Sequence, residues 1–297
     1  MRKANIQDEI AVNKLKSAVL IVFVVLFLLF IGWVLGEVYD PTMAYFFLAL
    51  AGIFSFFFVF YSYYNSDKIV LRSVKARPAN KKEHAYLMNV VEGLAIAAKI
   101  PVPRIYVMET DAINAFATGR NPENSVICVT TGMMKKLNRS EIEGVIAHEM
   151  SHIQNYDIRF ATLVAVLVGI VVILSDMFRR NLWFSRGSRE EKESSSSVLL
   201  IVGIIFALLA PIFVKIVQLA ISRKREFLAD ASGAYLTRYP EGLASALEKI
   251  AKEEGIIKVN GAVAPLFISN PLKARQISNL FSTHPPIEER IKVLRGM

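Results

Sequence analysis

The chain has one cysteine, Cys128, in 297 residues, which excludes any internal disulfide and suits a reducing compartment. Without a C-x-x-C partner that thiol is a poor metal ligand, and its β-branched neighbours make it a buried strand residue. Histidine is nearly as scarce, with four in all, so their placement carries weight. Internal repeats are absent, and the serine run at 194–197 is the only low-complexity stretch. No small-residue cleavage site follows the first apolar run before the turn at 37–40. That run is therefore expected to remain as an anchor and not to leave as a signal.

Apolar side chains make up 54% of the chain, too many for an average soluble protein. They concentrate in four runs, 18–36, 43–64, 160–178 and 198–220. Each approaches the ~20 residues a helix needs to cross the hydrocarbon core. Trp33, Tyr61, Tyr63 and Tyr64 fall near the expected interfaces, as aromatic belts do. Lys215 lies near the end of the fourth run, where it can snorkel, and Asp176 weakens the shorter third run.

Arg2, Lys3, Lys14 and Lys16 precede the first run, and Lys68, Arg72, Lys75, Arg77, Lys81 and Lys82 follow the second. The turn between them has only Glu37 and Asp40, so the positive-inside rule puts the tail and the post-hairpin segment in the cytoplasm. The loop at 179–197 carries Arg179, Arg180, Arg186, Arg189 and Lys192, which four full spans would leave outside. The second hairpin is therefore either a full span or a tilted, partly inserted one. The net charge of +9 does not point to nucleic acid, because the basic residues sit beside apolar runs, where anionic lipid headgroups account for them.

The histidines single out His148-Glu149-Met150-Ser151-His152. On a helix, residues four apart share a face, so both imidazoles can bind one ion. Glu149, about 100° around the axis, is placed to act as a base beside it. This is the H-E-x-x-H metalloprotease pattern. Ser140 and Glu143 read as a capping box, and Ile142, Val145, Ile146 and Met150 as a buried stripe. A zinc site needs a third protein ligand. Asn155 and Ile158 stand where an H-x-x-G-x-x-H continuation would need Gly and His, so the ligand comes from elsewhere. The segment 223–230 offers Glu226 and Asp230 one turn apart, one to ligate and the other to orient an imidazole.

The HEMSH motif, Ser222–Asp230 (SRKREFLAD), Ser282-Thr283-His284-Pro285-Pro286 and Asn114–Gly119 (NAFATG) occur in an order that resembles the HtpX-type membrane metalloproteases, glutamate-zincins related to the CAAX prenyl proteases. The resemblance runs from the first apolar run almost to the C-terminus. It implies one Zn2+ per chain held by His148, His152 and Glu226, with Glu149 as general base and Asp230 behind a ligating imidazole. It also implies a stress-response endopeptidase of the cell membrane that degrades misfolded or damaged membrane proteins. A prenyl-protein endopeptidase and a non-catalytic membrane scaffold or holdase are the rival readings.

The expected architecture is a mainly α membrane protein with about four transmembrane helices and an α+β, zincin-like catalytic domain containing a small twisted sheet. Its parts are a cytoplasmic tail (1–17), a first hairpin (18–64), a catalytic part (65–159), a second hairpin (160–220) and a second catalytic part (221–297). Helices are expected at 82–98, 243–254 and 286–294, and strands at 104–108 and 126–130. A hairpin that enters and leaves on one side brings His152 and Glu226 together, just inside the cytoplasmic surface. His284 is the candidate oxyanion donor, with Arg290 next in line. Asn114, Ala115, Phe116, Ala117 and Thr118 form the candidate strand edge for an extended polypeptide substrate. His84, on a polar face, reads as a surface residue, and no feature specifies an oligomer.

Overall fold

A computed structural model describes residues 6–167, 169, 222–253, 257, 259, 263–271 and 285–297. Helix α1 (Ile6–Tyr39) and helix α2 (Ala44–Ser73) form an antiparallel hairpin. Asp40 closes the turn between them, its carboxylate accepting from the Thr42 N–H at 2.9 Å and the Thr42 hydroxyl at 2.8 Å. Among the described residues these are the two helices long and apolar enough to cross a membrane. They approach closely at glycine. A Cβ on Gly32 would lie 2.3 Å from that of Ala51, and one on Gly36 would lie 2.6 Å from the Ala44 Cα. Helix α2 is interrupted at Asn65 (φ −119°, ψ 16°), immediately after the expected end of the second apolar run. Beyond that kink Asp67, Val70 and Leu71 are buried, and Asp67 pairs with Arg104. The end of α2 thus belongs to the catalytic part.

Four short strands make one mixed sheet in the order β1-β2-β4-β3. These are β1 (Arg77–Pro78), β2 (Arg104–Met108), β3 (Ala115–Gly119) and β4 (Ser125–Thr130). β2 and β4 run parallel, and β1 and β3 pair antiparallel at the two edges. Val107, Ile127 and Val129 face a core shared with Val91 of helix α3 (Ala85–Ala98) and with Val145, Ile146 and Met150. Cys128 is buried in β4, as its surroundings require. A short helix α4 (Thr131–Lys136) leads into α5 (Arg139–Gln154), which carries the HEMSH motif.

The cap of α5 differs from expectation. Asn138, not Ser140, is the N-cap: its side chain accepts from the Glu141 N–H at 3.0 Å, and Glu141 accepts from the Asn138 N–H at 2.7 Å. Asn caps as well as Ser does, and the pair starting two residues earlier wins because Lys249 also fixes the Glu141 carboxylate at 2.7 Å. Ser140 merely donates to Asn138. His84 is likewise not a surface residue. It is buried, and its Nδ1 accepts from the Asn80 N–H at 3.1 Å, so a local turn absorbs it.

After α5 a two-residue turn leads into helix α6, residues 157–167. Then come α7 (Arg223–Thr237), α8 (Pro240–Lys252) and α9 (Ile287–Arg295). The remainder of the third run, the 179–197 loop, the fourth run and His284 lie outside the described residues.

Candidate metal and catalytic site

Glycine brings the ligand helices together. Gly233 on α7 faces the backbone of α5, where a Cβ would come within 3.0 Å of the His148 nitrogen. Gly144 on α5 does the same for α8, since a Cβ there would meet the Leu243 nitrogen at 2.6 Å. With α7 drawn in, Glu226 comes to lie opposite the histidine pair. One donor atom from each of His148, His152 and Glu226 lies within 4.8 Å of the others.

Each imidazole is held from behind by a carboxylate. His148 Nδ1 is 2.9 Å from Asp230 Oδ1, and His152 Nδ1 is 3.0 Å from Asp157 Oδ2. A carboxylate there fixes the proton on Nδ1 and leaves Nε2 as a bare acceptor. The two Nε2 atoms face each other at 3.2 Å, with Glu226 oxygens 3.8 Å from that of His148 and 3.5 Å from that of His152. Two imidazole nitrogens and a carboxylate converge on one point, and the N, N, O set suits Zn2+. The residues present fit the ion that the sequence implies.

Asp230 is itself anchored. Arg290 on α9 grips it with both arms of the guanidinium, Nε to Oδ2 at 2.8 Å and NH2 to Oδ1 at 2.7 Å. Burial would raise the Asp230 carboxyl, but Arg290 and His148 hold it below its ordinary value. Arg290 is wholly buried and also donates to the Ile268 carbonyl at 3.2 Å. Its NH1 also lies 3.6 Å from Glu226 Oε2, so the guanidinium is enclosed among the site's own groups and does not face open solvent.

Glu149 is buried beside the triad, and desolvation pushes its carboxyl up to about 7. Ala117 of β3 lines the same cleft, which places β3 against the reactive side of the cluster. A cation at the ligand cluster would oppose the upward shift. A cleft lined by Ala117, His148, Glu149, His152, Glu226 and Phe267 opens over these groups.

β3 is an edge strand, as Asn114–Thr118 suggested, but its outer edge is not bare. Phe267 bridges Phe116 antiparallel, the Ile268 N–H donates to the Ala115 carbonyl at 2.9 Å, and Asn114 Nδ2 donates to the Ser269 carbonyl at 3.0 Å. Ala115, Phe116 and Thr118 are buried; Thr118 shares a hydrogen bond with Thr162. The structure thus gathers His148, Glu149, His152, Glu226, Asp230, Arg290 and β3 into one place.

The profile of peptidase family M48 matches residues 81–297. The chain belongs to that family. It is similar along its whole length to proteins named Protease HtpX homolog. The relative from Dictyoglomus turgidum is 48% identical, covering 100% of this chain and 96% of the relative. Those from Caldanaerobacter subterraneus subsp. tengcongensis and Lactobacillus helveticus are 44% and 39% identical, covering 100% and 98% of this chain and 99% of each relative. The chain is thus an M48 metalloprotease of the HtpX type, a hydrolase of polypeptides with a membrane-protein pattern. Among solved structures, S. mikatae Ste24p shares the fold at a TM-score of 0.52 and 20% identity, covering 97% of this chain and 66% of that one.

Three residues near this M48 site escaped the sequence reading. Asp157 lies beyond a turn whose shape no helical spacing foretells. Asn13 and Arg225 reach it from α1 and α7. Nothing local to Asn13 marks it except an amide beside an apolar run.

Proposed function

We propose that the protein is a zinc endopeptidase in which His148, His152 and Glu226 hold one Zn2+ and Glu149 is the general base. The observation that carries it is the convergence of the three ligand atoms within 4.8 Å, each ring backed by its own carboxylate. The ion, when bound, supplies Lewis-acid activation of water and of the scissile carbonyl. Glu149 takes the proton from the attacking water and passes it to the leaving amine. Asp230 and Asp157 keep the imidazoles from rotating, and Arg290 keeps Asp230 ionised and in place. Of the β3 edge at Asn114–Thr118, the stretch at Ala117, which the 267–269 segment leaves uncovered in the cleft beside Glu149, orients the substrate backbone. His284 is the proposed oxyanion donor on the ground of its sequence context before Pro285-Pro286.

The enzyme acts at the cytoplasmic face of the cell membrane on misfolded or damaged membrane proteins. Asn13 and Lys14, before the first apolar run, touch residues 155–157, so the site is level with the basic N-terminal end of α1. The same side receives the basic segment after α2, and the positive-inside rule assigns it to the cytoplasm. The two catalytic parts, 65–159 and 221–297, flank a second hairpin at 160–220 that is transmembrane or membrane-inserted. The full-length likeness to HtpX-type relatives favours membrane-protein substrates over prenylated ones, and a retained buried base opposes a scaffold role.

Metal content together with cleavage decides this reading. Purified full-length protein should carry about one zinc, lose casein cleavage with a chelator and regain it with Zn2+. External protease on intact spheroplasts should spare residues 65–159 and 221–297. An active protein without metal, or digestion of those segments from outside, would overturn the corresponding half.

A further inference from the structure

The turn that follows the HEMSH helix is held by the membrane hairpin. After Asn155, Tyr156 adopts a left-handed backbone at φ 60° before α6 begins. A bulky residue rarely keeps that conformation unless its surroundings impose it. The hairpin supplies those surroundings. Asn13 Nδ2 donates to the Asn155 carbonyl at 3.0 Å and to Asp157 Oδ1 at 2.7 Å. The Lys14 ammonium lies 4.8 Å from the centre of the Tyr156 ring. Arg159 donates to the Tyr63 hydroxyl of α2 at 2.8 Å.

Arg225 of α7 closes the circuit. Its NH1 donates to Asn13 Oδ1 at 2.8 Å and to Asp157 Oδ1 at 2.9 Å. One oxygen of Asp157 therefore receives two donors, and the other, Oδ2, meets His152 Nδ1 at 3.0 Å. A carboxylate fixed at one oxygen cannot turn, so the second oxygen has a defined direction. Asn13 has no exposed surface, and Asp157 and Arg225 are buried. Buried polar groups at this depth are costly unless every partner is present, and the circuit provides each of them.

We propose that Asn13 and Arg225 are positioning residues for the metal centre: they fix Asp157 so that it aims the His152 ring at the ion. The first membrane helix is then a working part of the active site as well as its anchor. Asp157 serves His152 as Asp230 serves His148, but Asp157 is secured from the membrane hairpin and Asp230 from within the catalytic part. The inference rests on the reading of His152 as a metal ligand.

The test uses full-length protein in detergent, with Zn2+ as the probe and chelator competition as the readout. Asn13→Ala and Asp157→Ala should each weaken zinc binding by about 10- to 100-fold, the usual cost of losing a group behind a ligating imidazole. KM of the zinc-loaded protein should change little, while the zinc-free protein should melt lower because Arg225 loses a buried partner. Ser17→Ala, one turn along the same buried side of α1, should leave zinc affinity unaltered. Should Asn13→Ala fail to fold, the exchange Asn13→Asp with Asp157→Asn decides. The exchange moves the carboxylate to position 13 and the amide to position 157. That amide would accept from His152 through its oxygen and donate to the relocated carboxylate, while Arg225 keeps an anionic partner. Only the Asn155 carbonyl then loses its donor. Affinity should then recover to within about tenfold of the parent. An exchange variant that binds as weakly as Asp157→Ala would overturn the proposal. So would a folded Asn13→Ala with parental zinc affinity, provided His152→Ala loses its zinc. If His152→Ala also keeps its zinc, the ligand assignment itself is wrong.

Discussion

The membrane hairpin and the catalytic core use the same kinds of residue with opposite sidedness. In the core, Val107, Ile127, Val145, Ile146 and Met150 are buried against one another. In the hairpin, Leu26, Phe46, Phe54, Phe56 and Phe57 are exposed, while Asn13, Ser17, Ser55, Ser62 and Ser66 are buried. The buried hydroxyls turn back on their own helices, Ser17 donating to the Asn13 carbonyl at 2.8 Å and Ser55 to that of Gly52 at 2.9 Å. In water the outward phenylalanines would be an aggregation surface. In a bilayer they cost nothing, and helices associate instead through small residues that permit close approach. Burial of apolar surface therefore dominates one region. In the other, glycine contact joins a smaller apolar cluster around Leu20, Val24 and Phe27, and the metal site lies where the two meet.

The comparison predicts that the reacting groups belong to the core, the hairpin contributing only the positioning end of α1. Glu149→Gln should reduce peptide hydrolysis by on the order of 10²- to 10⁴-fold while metal content stays near one per chain. Cleavage assays beside metal analysis check both halves. A variant that cleaves at the parental rate would remove Glu149 as the base, and no change confined to the lipid-facing hairpin should reach that scale.

The division also explains what could be read in advance. β2 lies where the β-branched run Arg104–Met108 put it, because alternation and bounding turns are local properties. The HEMSH face and the shared face of the two α7 carboxylates followed from helical periodicity, but their roles came from the resemblance to the HtpX-type proteases, since spacing alone fits surface charges equally well. Ser140 was mistaken for the cap because Asn138 and Ser140 are chemically equivalent candidates, and a distant lysine chose between them. Asp157, Asn13 and Arg225 could not be read, since their pairing joins residues from three helices through a turn with a left-handed tyrosine. The outer edge of β3 was expected to be bare, and the segment around Phe267 that lies on it has no pattern of its own.

A second expectation concerns the buried ion pair of the core. Arg290→Ala leaves Asp230 without its guanidinium in a site closed to solvent. The cost should be about 3–5 kcal/mol of folding stability, with zinc affinity falling as Asp230 loses its hold on His148. Denaturant unfolding and chelator competition measure the two. Arg290→Lys should recover the charge but not the two-armed grip, and so only part of the stability. Full stability in the alanine variant would mean that Asp230 has another partner.

Two glycines carry the comparison further. Gly233→Ala forces α7 away from the His148 backbone, and Gly32→Ala forces α1 away from Ala51. Each should cost about 1–3 kcal/mol as overpacking does, but with different consequences. The first should weaken zinc binding, and the second should loosen the hairpin with zinc binding intact. Equal loss of zinc in both would show that the whole of α1, and not just its N-terminal end, sets the geometry of the site.

Gly93 should give the smallest effect, and the opposite sign. It lies mid-helix in α3 on an exposed face, and nothing comes within 4 Å of where its Cβ would be. Because α3 belongs to the water-facing region, the rules for soluble helices apply: glycine there wastes chain entropy that alanine would not. Gly93→Ala should therefore stabilise the protein by about 0.5–1 kcal/mol and leave activity alone. The hairpin offers no such gain at Gly32 or Gly36, where the missing Cβ is what admits the neighbouring helix. A rise in melting temperature for Gly93→Ala beside a fall for Gly32→Ala would divide the molecule along the boundary drawn above. A fall in both would mean that the exposed side of α3 is covered in the working enzyme, and that the water-facing region ends short of it.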